Sequence, residues 1–192
     1  MKLDNEDDLI RLVEEDTWMM NILQTAMHLQ LPDWWICAGF VRSKIWDVLH
    51  GFEKRTPLPD IDVIYFDNNN LDEEEEKRLE ERLKRMDPAI PWSVKNQARM
   101  HVVNNLPAAY TSATDAISKF PETVTALGLS LDRNHKLVLT APHGIEDVIQ
   151  MRVRPTAHFL NNEALSTVYE KRMVNKDWKA TWALLQIDSI RP

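Results

Sequence analysis

The sequence predicts an α+β (α/β) fold, a mixed and mainly antiparallel sheet flanked by helices, and three observations carry that expectation. Segments with apolar residues at helical spacing alternate with apolar runs too short to be helices. The short runs are rich in β-branched and aromatic residues and are bounded by glycine, proline or asparagine. The last two, Val124 to Leu131 and Lys136 to Thr140, are joined by four turn-forming residues, which suits a hairpin and makes the closing strands antiparallel.

Each element follows from its own pattern. From Asn5 to Leu29, residues such as Leu9, Leu12, Val13, Met19, Ile22, Leu23 and Ala26 repeat at helical intervals up to Pro32, predicting one amphipathic helix. Trp34 to Ala38 reads as a strand, Gly39 as a turn, and Phe40 to His50 as a second helix. Asp60 to Phe66 reads as the next strand, stopped by Asp67 and three asparagines. The acidic block that follows pairs Glu73 with Lys77, Glu74 with Arg78, Glu80 with Lys84 and Glu81 with Arg85 at i,i+4, so it reads as a solvated helix rather than a binding site. Trp92 to Met100 reads as a third strand. Ser112 to Phe120, Gly144 to Met151 and Asn162 to Lys176 read as further helices, and Trp178 and Trp182 as core packing one helical turn apart.

Composition bounds the possibilities. The chain has 192 residues, 44% apolar and 28% charged, with a formal charge of −7, which fits neither a disordered nor a disulfide-stapled class. A single domain over residues 1–192 is expected, with a core at about 34–155 against which a helix at 5–29 and helices within 162–187 pack. Cys37, the one cysteine, lies in an apolar run and reads as a buried thiol. The start MKLDNEDDLIRL lacks the features of a signal peptide and no apolar run is long enough to span a bilayer, so a soluble, cytoplasmic protein without membrane partners is expected. Acidic residues exceed basic ones by ten in the first ninety residues and basic exceed acidic by three in the rest. Such a balance argues against a broad nucleic-acid footprint.

The chemistry concentrates between Ile36 and Asp67. Asp60 and Asp62, one residue apart on a predicted strand, leave the same face about 6.6 Å from each other, where two carboxylates can share divalent ions. Gly39 stands at a strand-to-helix turn, where a phosphate could approach the backbone N–H groups, and Arg42 follows in the first helical turn. Lys95 and Arg99 lie on one face of the third predicted strand, within reach of a triphosphate. His101, His135, His143 and His158 show no metal-ligand spacing with one another.

These residues resemble a family. Ala38-Gly39-Phe40-Val41-Arg42-Ser43 followed by Asp60-Ile61-Asp62 is similar to the Gly-Gly-x-Val-Arg-Asp and Asp-x-Asp motifs of the DNA polymerase beta superfamily, most closely the head domain of CCA-adding enzymes and bacterial poly(A) polymerases. The strings TPLPDIDVIYFD, WSVKNQARMH and MRVRP extend a likeness, over roughly Trp34 to Trp182, to an uncharacterised family of small bacterial proteins described as nucleotidyltransferases. Ala38 replaces the first glycine and Ser43 the aspartate.

The resemblance implies a nucleotidyltransferase-type sheet and transfer of a nucleoside monophosphate from a nucleoside triphosphate to an acceptor. It implies Asp60 and Asp62 as catalytic metal ligands, magnesium or manganese as the ion, and Gly39, Phe40, Arg42, Lys95 and Arg99 as nucleotide contacts. The superfamily's third carboxylate has no counterpart in Trp92 to Met100, and Asp132, Glu146 and Asp147 read as turn or helix-start residues. The base-reading motif Glu-Asp-x-x-Arg is broken, since Glu146 and Asp147 are followed by Gln150. The chain is too short for the parts that grip transfer RNA, so extensive tRNA binding is not expected. The alternative is a degenerate nucleotide- or partner-binding module of the same fold.

Overall fold

The computed structural model describes residues 3–104, 106 and 108–190. Two helices open the chain, α1 (Glu6–Glu14) and α2 (Thr17–Met27). The single helix expected from Asn5 to Leu29 is broken because Asp16 caps the second one. Its carboxylate accepts the Met19 N–H at 3.1 Å and is held by Lys44 and Arg55.

Strand β1 (Trp35–Cys37) leads into α3 (Gly39–Leu49), and β2 (Ile61–Tyr65) follows after a loop. Helix α4 (Glu73–Met86) then precedes β3 (Trp92–Asn96) and α5 (Gln97–Val103). The expected strand from Trp92 to Met100 therefore stops at Asn96. The Asn96 side chain caps α5 by accepting the Ala98 N–H, and its amide donates to the carbonyls of Asp67 and Asn70. Next come α6 (Ala113–Ser118), β4 (Gly128–Leu131) and β5 (Leu137–Thr140), the last two forming the expected hairpin. Residues 124–127 are not strand, because the Thr125 and Ala126 N–H groups turn back to the Glu122 carbonyl.

The chain closes with α7 (Glu146–Ile149), β6 (Arg152–Val153), α8 (Ala157–Leu160), α9 (Glu163–Lys176), α10 (Trp178–Thr181) and β7 (Gln186–Ile187). Among the described residues no helix is long and apolar enough to cross a membrane.

The main sheet has the order β3-β2-β1-β4-β5. Its β1-β2, β1-β4 and β4-β5 pairs are antiparallel, and β2-β3 is parallel, with Asp62 opposite Ser93. Strand alternation gives the sheet two faces. On one, Ile36, Ile61, Val63 and Val94 join the large core beneath α1 to α4. On the other, Ile64 and Cys37 pack against Ala113 and Ile117 of α6. Asp62 shares the face of Ile64, beyond the edge of that smaller cluster.

Helix α4 is only partly the solvated rod expected. Lys77, Arg78 and Lys84 pair with Glu74, Glu75, Glu80 and Glu81 on its surface. Glu76, however, is 1% exposed and turned inward.

Candidate functional site

The site gathers where β1 ends and β2 begins. Asp60 is exposed just before β2, and Asp62 is half-buried at its second position. Burial, and then the charge of Asp60, push the Asp62 carboxyl above its usual range. The Ser93 hydroxyl and the charges of Lys176 and Arg172 oppose that rise. A carboxylate whose ionisation is made costlier by burial and by a neighbouring carboxylate belongs to a donor set that a divalent cation would relieve. Among the described residues no cluster of three His, Cys, Asp or Glu groups is arranged to hold a metal, so the cation would take its remaining ligands from water or substrate.

The β1-α3 turn has an unusual backbone. Ala38 lies at φ 55° and ψ −114°, a region natural to glycine and costly to a residue with a Cβ. Gly39, by contrast, does not adopt a left-handed φ, and a Cβ there would meet only Arg42 Nη2 at 3.6 Å and Leu58 Cδ2 at 3.7 Å. The conformational demand therefore falls on Ala38, while Gly39 keeps open the space beside Arg42. Asn5, Asp16, Asp72, Asn96 and Asn162 cap α1, α2, α4, α5 and α9 with their side chains, but Ala38 has no side-chain oxygen for α3. The first N–H groups of α3, those of Gly39 and Phe40, have no acceptor within the helix. With the helix dipole they favour an anion at that end. Phe40 itself is 1% exposed and points into the core, so any contact it makes is through its backbone.

Arg42 does not project from the first turn. Its guanidinium carbon lies 4.4 Å from the Trp178 ring centre, 5.1 Å from Trp46 and 5.6 Å from Trp182. Nη2 donates to Ser43 Oγ at 3.2 Å, and the buried Nε has no partner. Burial brings the group down to about 10, against the charges of Glu122, Asp60 and Asp47, so it stays cationic at neutral pH. Trp178 and Trp182, expected simply as core, are the walls of this cage, and Trp182 also donates to Asp47 at 2.9 Å. Arg42 thus contributes charge from beneath the site, stabilised by the ring faces.

Lys95 and Arg99 both reach Glu76, and only Lys95 is on β3, on the face of Ser93. Arg99 lies in α5, not on β3, and its Nε and Nη2 donate to the two oxygens of Glu76 at 2.7 and 2.8 Å. Lys95 also reaches Glu76, at 3.5 Å. The shared strand face that joined them in the sequence does not exist, because Asn96 ends the strand between them.

Other residues take their place near Asp62. Arg172 and Lys176, one turn apart on α9, act on it by charge. Arg172 is fixed by an ion pair to Glu122, which is 0% exposed and also accepts from Thr125 Oγ1 at 2.7 Å. The spacing of Arg172 and Lys176 was visible in the sequence, but what the helix faced was not. Glu122 lies in a segment without periodicity and carried no signal. Asp132 is a turn residue accepting N–H groups of Asn134 and Lys136. Asp147 is bound to Thr123 and Arg154, and Glu146 is exposed at the start of α7. Ser93 stands opposite Asp62 on β3, and the strand Trp92–Asn96 carries no carboxylate.

The fold is shared with nucleotide-handling heads. An NMR structure described as revealing a CCA-adding enzyme head domain is similar over 97% of this chain and 97% of that one, at 38% identity and a TM-score of 0.86. A Thermotoga maritima CCA-adding enzyme complexed with tRNA is similar in fold at TM-score 0.56 and 14% identity, over 98% of this chain but 43% of that one. A CCA-adding enzyme in complex with CTP gives a TM-score of 0.51 at 16% identity, over 93% of this chain and 41% of that one. The chain thus spans less than half the length of these two enzymes. No match to a curated protein was found. A family model described as nucleotidyltransferase matches residues 24–187, and the chain belongs to that family of enzymes.

Proposed function

We propose that the protein transfers a nucleoside monophosphate from a nucleoside triphosphate to an acceptor, at Asp60 and Asp62. The observation that supports this most is the pairing of these carboxylates at the start of β2, beside an α3 N-terminus that no side chain caps.

The roles follow from the geometry. Asp60 and Asp62 would hold a divalent cation, magnesium being the natural choice for oxygen ligands of this kind. When bound, it supplies charge neutralisation on the phosphates and lowers the pKa of a coordinated hydroxyl. Ser93 stands opposite Asp62, and its hydroxyl favours the ionised form of that carboxyl. The N–H groups of Gly39 and Phe40 receive phosphate oxygens, and Arg42, Arg172 and Lys176 add positive field around them. Electrostatic positioning carries most of a phosphoryl transfer, and these residues provide it without a covalent step on the protein.

A second reading has its own observation. Ser93 cannot deprotonate an acceptor as a carboxylate would, which favours a nucleotide-binding module without turnover. Both readings need the same site, and one experiment orders them. Thermal unfolding with each nucleoside triphosphate, with and without magnesium, is compared between the native chain and the Asp60→Ala, Asp62→Ala variant, alongside pyrophosphate release. Ligand at about 100 times its Kd adds about 2.7 kcal/mol. A magnesium-dependent shift lost in the variant is expected. Pyrophosphate release on adding an acceptor pool supports transfer, its absence supports the binding module, and no shift at millimolar nucleotide overturns both.

A further inference from the structure

A cavity of about 300 Å³ opens on the same side of the sheet as Asp62, between α5, α6, α8 and α9. Its walls include Gln97, Tyr110, Phe120, Phe159, Val168 and Arg172. The rings offer flat apolar surface, and the Gln97 amide offers both a donor and an acceptor. Arg172 and Lys119 stand on its wall, ion-paired to Glu122 and Asp115, and among the described residues no carboxylate lines it, so the wall offers a cationic ligand no partner and admits a neutral or anionic one. His158, also on the wall, is lowered from its usual range by burial and by the charge of Lys119; it is a neutral ring at pH 7.

Helix α9 orders these features in space. Leu165 and Val168 line the cavity, Arg172 one turn further lines it too and acts on Asp62, and Lys176 after another turn acts on Asp62 alone of the two regions. Positions 165, 168, 172 and 176 fall on one helical face. Passing along that face, a ligand meets aromatic and apolar walls, then cations, then the paired carboxylates. A molecule with a planar end and a polyanionic end matches that order. A nucleoside triphosphate has both ends in that arrangement, and the volume suits one nucleoside.

We propose that this cavity receives the base and ribose of the nucleoside triphosphate, with Gln97 reading the edge of the base. The inference rests on the proposed function of the Asp60–Asp62 site and adds the determinant of nucleotide choice. It also gives base selection a place in this chain, since Asp147 is committed to Thr123 and Arg154. Rings stack on any base with similar strength, whereas an amide distinguishes bases through the hydrogen bonds that it leaves unpaired with the wrong one.

The test uses the full chain with magnesium and two classes of probe: the four nucleoside triphosphates, and inorganic tripolyphosphate, which has the anionic end without the planar one. Val168 is 49% exposed, so Val168→Trp fills the mouth of the cavity without disturbing the core. It is expected to weaken nucleoside triphosphates by about tenfold to a hundredfold and leave tripolyphosphate within about twofold. Gln97→Glu, which keeps the shape and replaces the amide donor, is expected to change the rank order of the four nucleotides while tripolyphosphate again holds. Wild-type nucleotide affinities in Val168→Trp, or an unchanged rank order in Gln97→Glu, would overturn the assignment while leaving the carboxylate site intact. If neither tripolyphosphate nor any nucleotide binds the native chain, the proposed function itself fails and the cavity assignment falls with it.

Discussion

At the scale of single residues, Ala38 shows how a site can be stored as strain. Its backbone angles suit glycine, yet it keeps a Cβ, and its carbonyl still accepts the N–H groups of Val41 and Arg42 that start α3. Strain of this kind costs about 1–3 kcal/mol, against which glycine loses about 0.5–1 kcal/mol of unfolded-chain entropy. Ala38→Gly is therefore expected to stabilise the fold by about 1 kcal/mol in urea unfolding, and a destabilised variant would show that the surrounding contacts already relieve Ala38. The residues proposed to bear the chemistry are legible in the sequence because they lie close together in it: the strand-glycine-helix turn and the two alternate aspartates need no tertiary information. What Arg42 does was not legible. A residue in the first helical turn reads as exposed to a ligand, and only the folded chain brings Trp178 and Trp182, more than a hundred positions away in sequence, over its guanidinium.

At the scale of elements, pattern succeeded where periodicity was long and failed where a cap interrupted it. α9 and the β4-β5 hairpin stand close to where the sequence put them. The first helix and the third strand are each cut by one side chain, Asp16 and Asn96, that satisfies backbone N–H groups better than continuation would. The same effect hid Glu76, whose acidic neighbours mark α4 as a solvent-facing helix. Glu76 receives both Arg99 nitrogens and the Asn96 N–H, tying α4, β3 and α5 together at the sheet edge. Removing Arg99 leaves the buried Glu76 carboxylate, among the described residues, with only the Asn96 N–H and Lys95 at 3.5 Å, and breaking a buried ion pair in this way costs about 3 kcal/mol. Arg99→Met is expected to lower the unfolding free energy measured in urea by that amount while changing nucleotide affinity by less than about twofold. A tenfold loss of affinity in a variant whose fold persists would restore Arg99 to the nucleotide site.

At the scale of the whole molecule, function and stability are opposed through Asp62. Its carboxyl titrates above its ordinary value of 3.8 because it is buried and lies beside Asp60. The native chain thus takes up this proton at a higher pH than the unfolded chain does. The contribution of Asp62 is fully present below the unfolded value and is lost as pH rises through the folded one. Asp16 and Asp115 behave in the opposite sense. Burial would raise each, but ion pairs and backbone hydrogen bonds hold both below 3.8, so their stabilisation is present above that value and lost as pH falls beneath it. The two effects occupy separate windows. Above 3.8, where Asp16 and Asp115 stay ionised, Asp62 gives a distinct trend. Asp62→Asn removes the charge at every pH and retains the shape. The variant without ligand is expected to be more stable than the native chain at pH 7, and the difference should shrink as pH falls toward the ordinary carboxylate range. Magnesium-dependent stabilisation by nucleotide requires the ionised carboxylate, so in the native chain it should weaken over the same interval and be absent from the variant throughout. Urea unfolding at pH 7, 6 and 5, with and without magnesium nucleotide, measures both trends. A stability difference independent of pH would mean that Asp62 ionises as freely in the fold as in water, and the tension between its burial and its proposed metal-binding role would be gone.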